Sequence, residues 1–140
     1  MAAATVEPQL AALIEAGEVS YEYRHLLVFP PRSQWAAEAS ECAADQGKFW
    51  AYHDLLFKNQ KATMTQAQLK TWAKDLGLDT NQFNQCMDTK KYEAKVKQQS
   101  AEGAKMGINQ TPTFVLNGKI LKGYSNDAVV TMVKQAVNQK

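Results

Sequence analysis

The sequence predicts an α/β fold in which a run of helices is inserted between the strands of a small sheet. Three observations predict it. Apolar and polar residues alternate over Val19–Val28, as in a strand with one buried face. A second extended stretch, 113–116, turns at Asn117-Gly118, and Asn-Gly between apolar runs is a strong hairpin signal because a type I′ turn needs positive φ at both central residues. Helical periodicity fills the chain between these two regions.

Length and charge limit the possible classes of protein. At 140 residues and 45% hydrophobic, the chain is large enough for one domain with one core. No window approaches the roughly 20 apolar residues of a membrane span. The net charge is +2, and the densest basic run, 90–97, alternates with polar residues, which is typical of a solvated helix face and gives no case for nucleic acid. No signal peptide is visible at the start, so the chain is cytoplasmic or lacks a leader.

The first predicted elements are a helix and a strand. Apolar residues recur at helical spacing from Thr5 to Ala16, and Pro8 is tolerable if it falls in the first turn. Gly17 fits the left-handed position that closes a helix. His25 lies in the predicted strand that follows, and it is interpreted as a half-buried strand histidine rather than a catalytic base, because no second histidine is near it in sequence.

Capping signals divide the middle of the chain into helices. Ser33 is predicted to cap the first of them, which closes at Gly47. The patterns Thr65-x-x-Gln68 and Asp79-x-x-Gln82 are capping boxes that open two more. A longer helix follows over 92–106, and Ser125 or Asn126 caps a final helix after the hairpin. Single acidic residues on these helices, such as Glu41 and Asp54, are interpreted as surface charges.

The two cysteines do not form a redox motif. Thiol–disulfide exchange needs a low-pKa thiolate, which Cys-x-x-Cys at a helix N-terminus supplies, and neither Cys42 nor Cys86 belongs to such a motif. Two Cys and two His, all widely separated, do not show zinc spacing, so no metal site is predicted, and no cofactor motif is present. The residues alone leave two interpretations of the cysteines, buried free thiols and a structural disulfide.

Several segments follow the pattern of one known family. They are Gly107–Gly118, Ala39–Trp50, Tyr52–Phe57, and Leu76–Asp79 with Phe83 and Cys86. Together they resemble the DsbA-like thiol:disulfide oxidoreductases, which have a thioredoxin fold with an inserted all-helical subdomain. A glutathione-transferase-like protein shares some features, but the Thr-Pro-Thr-Phe sequence and the cysteine contexts fit DsbA better. The resemblance implies a thioredoxin-like part over 5–30 and 107–140 and a helical insertion over 31–106.

The resemblance also implies site residues. In the family the bond that matches Thr111–Pro112 is cis, and the backbone beside it receives an extended substrate peptide. Members of this subgroup carry cysteines at the positions of Cys42 and Cys86, which implies a disulfide between two helices of the insertion. The family resemblance, together with such a disulfide, favours an extracytoplasmic, periplasmic or secreted, setting.

One part of the family pattern is absent, and two function classes follow. The chain lacks the Cys-x-x-Cys and the strand before it, so it is interpreted as an N-terminally truncated family member with no catalytic residues and little or no redox activity. The alternative is a non-catalytic thioredoxin-fold module that binds a peptide or a partner. Because the missing strand would leave open sheet edges, self-association into a homo-oligomer is also predicted.

Overall fold

The computed structural model describes residues 2–140, with side chains from residue 5 onward. The described residues divide into two compact units, a hairpin unit (up to residue 23, with 110–140) and a helical unit (24–109). The predicted division at residues 31 and 106 stays a prediction. The elements in chain order are α1 Ala2–Glu15, α2 Arg32–Ala44, α3 Phe49–Lys58, α4 Gln66–Asp75, α5 Thr80–Asp88, α6 Glu93–Lys105, β1 Phe114–Leu116, β2 Lys119–Leu121 and α7 Asn126–Asn138.

The hairpin unit confirms the Asn-Gly turn. β1 and β2 are antiparallel, with Leu116 opposite Lys119 across the turn. Asn117 and Gly118 have φ of 48° and 81°, the positive values that a type I′ turn requires. α1 and α7 pack together in this unit, and their apolar faces share one core with β2. The buried residues of that core are Val6, Leu10, Leu121, Val129, Val130 and Val133.

The first helix differs from its prediction at Pro8. Within the described residues α1 is already helical at Ala2, so Pro8 lies in the helix interior rather than in the first turn. Proline has no N–H to donate and normally weakens a helix interior. For that reason the sequence alone predicts a helix that begins shortly before Pro8. The end of α1 is as predicted, because Gly17 has φ of 74° and the N–H of Glu18 donates to the carbonyl of Leu13 at 2.9 Å.

The predicted strand over Val19–Val28 is wrong, because no residue of that segment is in a β-ladder in the described structure. In the helical unit, backbone N–H groups of this segment donate to side chains of α6 instead. The N–H of His25 donates to Gln99 Oε1 at 3.1 Å, and that of Leu27 donates to Ser100 Oγ at 3.0 Å. Alternation of apolar and polar residues predicts which residues are buried, but it does not supply a neighbouring strand.

The helical unit is built around α2. This helix packs on α3, α4, α5 and α6. Tyr52 of α3 is fully buried in the common core, and its hydroxyl donates to the carbonyl of Leu69 on α4 at 2.7 Å. The buried residues of the core are Ala39, Cys42, Ala43, Tyr52, Leu69, Trp72, Ala73, Leu78, Phe83, Cys86 and Met87.

Three of the predicted helix caps are confirmed and one is wrong. Thr65 Oγ1 accepts from the N–H of Gln68 at 3.1 Å, Asp79 Oδ1 from that of Gln82 at 2.9 Å, and Ser125 Oγ from that of Ala128 at 3.2 Å. Ser33 does not cap α2, which begins at Arg32. Its hydroxyl instead accepts from the N–H of Phe29 at 3.1 Å, because Pro30 and Pro31 turn the chain just ahead of the helix.

Candidate functional site

The loop that leads into β1 carries the two site residues expected from the resemblance. Thr111 and Pro112 are both exposed, and the peptide bond between them is cis. The Thr113 hydroxyl donates to the carbonyl of Gln110 at 2.7 Å, which ties the loop across this step. The two residues therefore lie in the hairpin unit, at the entrance to β1.

One side of β1 is available for backbone pairing. Paired residues in an antiparallel hairpin alternate between hydrogen-bonded and non-hydrogen-bonded positions, and the pair beside a two-residue turn, here Leu116 and Lys119, is hydrogen-bonded. Val115 is the next residue along, so its N–H and C=O point away from β2. Val115 as a whole residue is also 44% exposed. Among the described residues β1 pairs only with β2, which leaves this edge open to a further strand.

The predicted disulfide between Cys42 and Cys86 is confirmed. It joins α2 to α5, with a Cα–Cα distance of 5.9 Å and 44 residues of sequence separation. Both residues are buried in the core of the helical unit. Each cysteine lies two residues before the end of its helix, Ala44 for α2 and Asp88 for α5. A helix C-terminus carries partial negative charge and therefore disfavours a thiolate.

A carboxylate lies beside the disulfide. Asp45 directly follows α2, and its Oδ2 is 3.9 Å from Cys86 Sγ, which has no proton to donate while it is bonded. The same carboxylate accepts from Lys91 Nζ at 2.7 Å and from the hydroxyl of Tyr92. Burial alone would raise the pKa of Asp45, but these two hydrogen bonds outweigh it and hold the pKa below its ordinary value. Asp45 is therefore ionised at neutral pH, close to the disulfide.

A buried histidine and carboxylate contact each other earlier along the same helix. His25 Nε2 and Glu41 Oε1 are 2.9 Å apart, with side-chain exposures of 5% and 10%. The other oxygen of Glu41 accepts from Lys95 Nζ of α6 at 2.8 Å. The hydrogen bond from His25 is the largest influence on Glu41, and with that from Lys95 it holds the pKa of this carboxyl below its ordinary value despite burial. The interpretation of Glu41 as a surface charge is therefore wrong.

Sequence reasoning missed this pair, although a signal for it exists. Glu38 and Glu41 on α2 and Asp45 directly after it follow one another at helical spacing, beside the apolar face that carries Cys42. An acidic stripe along the border of an apolar face predicts basic partners on a neighbouring helix. Two lysines of the 90–97 run supply such partners, because Lys91 pairs with Asp45 and Lys95 pairs with Glu41 while each lysine side chain stays about half-exposed.

Comparison with known proteins gives the family. A family model described as Thioredoxin matches residues 1–135 of the chain. The chain belongs to the thioredoxin family. No solved structure gives a significant match to this thioredoxin-family chain.

Three curated relatives of this thioredoxin-family chain are named as Na(+)/H(+) antiporters. Na(+)/H(+) antiporter NhaA of Herminiimonas arsenicoxydans is 35% identical over 119 residues, which cover 85% of the chain and 19% of that protein. NhaA 3 of Salinispora tropica is 34% identical over 127 residues, covering 89% and 19%. NhaA 1 of Salinispora arenicola is 33% identical over 135 residues, covering 93% and 20%. The chain thus spans about a fifth of the length of the relatives it matches. Among the described residues, no helix combines the length and apolar character of a membrane span.

Proposed function

We propose that the chain is a member of the DsbA-like thiol:disulfide oxidoreductases and has little or no redox activity through its own cysteines. The observation that supports this proposal is the position of Cys42 and Cys86. They are the two cysteines of the chain, and both are used in one buried disulfide. In this proposal the disulfide holds two helices together and does not exchange with substrates.

In the reduced protein, too, the surroundings of Cys42 and Cys86 disfavour exchange. Exchange begins when a thiolate attacks a disulfide sulfur, so its rate depends on how much thiolate is present. Cys42 and Cys86 lie near helix C-termini, where the helix dipole disfavours negative charge, and Asp45 adds a full negative charge beside Cys86. Burial in the core further raises the free energy of a thiolate. Both thiols are therefore expected to be weak nucleophiles.

Reduction of insulin by dithiothreitol tests this proposal. We expect the chain to accelerate insulin precipitation no more than a Cys42→Ser variant does, with a thioredoxin as the positive control. Turnover comparable to the thioredoxin, abolished by Cys42→Ser, would overturn the proposal.

A second candidate is a non-catalytic module that binds a peptide or a partner protein, and two observations favour it. The relatives are named as antiporters, and the chain matches only about a fifth of each, which suits an accessory module of a larger protein. The open edge at Val115 lies beside Thr111 and Pro112, where an extended peptide could add a strand to β1. We propose an extracytoplasmic setting in either case, because disulfides persist mainly in oxidising compartments.

Substitution at the β1 edge tests the second candidate. Val115→Pro removes the N–H that points away from β2 and should weaken binding of an extended peptide. Val115→Thr keeps both the N–H and the strand preference, so it serves as the matched control. If both variants capture a panel of extended peptides as well as the parent does, the edge is not the binding surface.

A further inference from the structure

A cavity of about 330 Å³ opens in the helical unit between α2 and the end of α5. Trp35 of α2 and Met87 of α5 form its apolar walls. Glu38, Asp88 and Lys90 bring charged groups to it. The volume lies at the small end of the range for ligand sites and suits a small molecule or a single side chain.

Glu38 is the unusual member of this lining. Only 5% of the residue is exposed, although its side chain ends in a carboxyl group. Its Oε2 accepts from Gln34 Nε2 at 3.3 Å. No other hydrogen bond and no ion pair reaches Glu38 from the described part of the chain. Burial raises the pKa of this carboxyl, against the smaller influences of the Gln34 amide and of the more distant charges of Lys90 and Lys97. A buried carboxylate whose one contact is neutral is costly unless it is protonated or a cation joins it.

The other charges at the cavity already have partners. Asp88 Oδ1 is 2.6 Å from Lys70 Nζ. Lys90 Nζ is 3.7 Å from Glu93 Oε2, and the Lys90 side chain is 71% exposed. Glu93 Oε1 is also 2.8 Å from Lys97 Nζ, so Lys90, Glu93 and Lys97 form one network of ion pairs at the surface. Glu38 is therefore the charge of the cavity that lacks an opposite charge in contact with it.

We propose that this cavity binds an organic cation, a guanidinium or primary ammonium group on a short aliphatic stem. The charged head contacts Glu38, and the stem lies against Trp35 and Met87. An indole ring attracts a cation over its face, and the thioether of methionine adapts to an alkyl chain. A bare metal ion fits less well, because one buried carboxylate does not provide the several oxygen ligands that Mg²⁺ or Ca²⁺ needs. This inference is independent of the proposed redox and peptide-binding functions.

The same chemistry could come from a free amine or from an arginine side chain of a partner. Agmatine presents the first and the capped tripeptide acetyl-Gly-Arg-Gly-amide presents the second. Stronger binding of agmatine would indicate a small-molecule ligand, and stronger binding of the tripeptide would indicate a protein side chain. Both outcomes support a cation site.

Titration with agmatine, followed through the indole N–H signal of Trp35 by NMR, tests the proposal. We expect saturable binding at or below about 10 mM, and no comparable binding of N-butylurea, a neutral molecule of similar shape. Glu38→Gln keeps the side-chain volume and should weaken agmatine binding about tenfold or more, since a charge-assisted hydrogen bond is lost. Asp88 lines the same cavity, but Lys70 already neutralises its charge. Asp88→Asn should therefore weaken agmatine binding several-fold less than Glu38→Gln does.

A folding control accompanies the Glu38 variant. Because Glu38→Gln removes a buried charge with no ionic partner, its urea midpoint at pH 7 should be at least that of the parent protein. Loss of binding then cannot be ascribed to unfolding. Equal binding of agmatine by the parent and by Glu38→Gln, equal binding of N-butylurea and agmatine, or no saturable binding of either cation would overturn the proposal.

Discussion

Reduction of the Cys42–Cys86 disulfide should destabilise the helical unit strongly. The bond closes a loop with 44 residues of sequence separation. In the chain-entropy model, opening a loop of that size lowers the free energy of unfolding by about 4 kcal/mol. Domains of this size are stable by only about 5–15 kcal/mol, so the reduced unit should lose a large part of its stability.

The tryptophans make this effect measurable in one unit. Trp35, Trp50 and Trp72 are the three tryptophans of the chain, and all lie within residues 24–109. Urea unfolding followed by tryptophan fluorescence therefore reports on the helical unit. We expect the midpoint to fall in the presence of a phosphine reductant, and the slope to rise because an uncrosslinked chain exposes more surface on unfolding.

A variant that cannot form the bond separates loss of the crosslink from other effects of the reductant. Cys42→Ala/Cys86→Ala should match the reduced protein approximately and should not respond to reductant. Alanine is preferred to serine because a buried hydroxyl without a partner costs about 1–3 kcal/mol by itself. If reduction changes the free energy of unfolding of the parent by less than about 1 kcal/mol, the crosslink does not stabilise the unit as argued.

Four further predictions concern charge, capping and association. The hydrogen bond from His25 is the chief reason that the pKa of Glu41 lies below its ordinary 4.5. The ionised carboxylate therefore stabilises the fold fully above pH 4.5, and this stabilisation is lost as the pH falls through the lowered pKa. The urea midpoint of the parent should fall over that pH range, and the midpoint of Glu41→Gln should not show this fall. The pKa of Glu38 is raised, so Glu38→Gln should exceed the parent in stability at pH 7 and match it below pH 4.5; equal midpoints at pH 7 would contradict this. Thr65→Ala should cost about 1 kcal/mol by removing the α4 cap, and an unchanged midpoint would exclude that role. Light scattering after size exclusion should show a dimer or larger, weakened by Val115→Pro, and a clean monomer at micromolar concentration would exclude self-association.

Local signals in the sequence predicted the parts of the fold that depend on neighbouring residues. The Thr65 and Asp79 caps each need only a side-chain oxygen and an N–H three residues later. The Asn117-Gly118 turn needs only positive φ at two adjacent residues. These features were predicted correctly because the interactions that stabilise them lie within one turn of the chain and do not depend on a distant partner.

Features that depend on distant partners could not be predicted in the same way. The alternation over Val19–Val28 gave the spacing of a strand, but the N–H groups of His25 and Leu27 found side chains on α6, more than 70 residues away in sequence. Glu41 was interpreted as exposed because charged residues on helices usually are. Its burial depends on His25, which precedes α2 in the sequence, and on Lys95 of α6. The acidic stripe on α2 indicates that basic partners exist, but the sequence does not show which residues they are.

The surroundings of the two cysteines favour a structural role for their disulfide over a catalytic role. A redox-active cysteine benefits from surroundings that stabilise its thiolate, and stabilising the reduced form makes the corresponding disulfide a stronger oxidant. Cys42 and Cys86 have the opposite surroundings, because two helix C-termini and the carboxylate of Asp45 destabilise a thiolate there. Destabilising the reduced form shifts the exchange equilibrium toward the disulfide and slows attack by either thiol. The arrangement that we expect to make these residues poor nucleophiles should therefore also make their bond a durable link between α2 and α5.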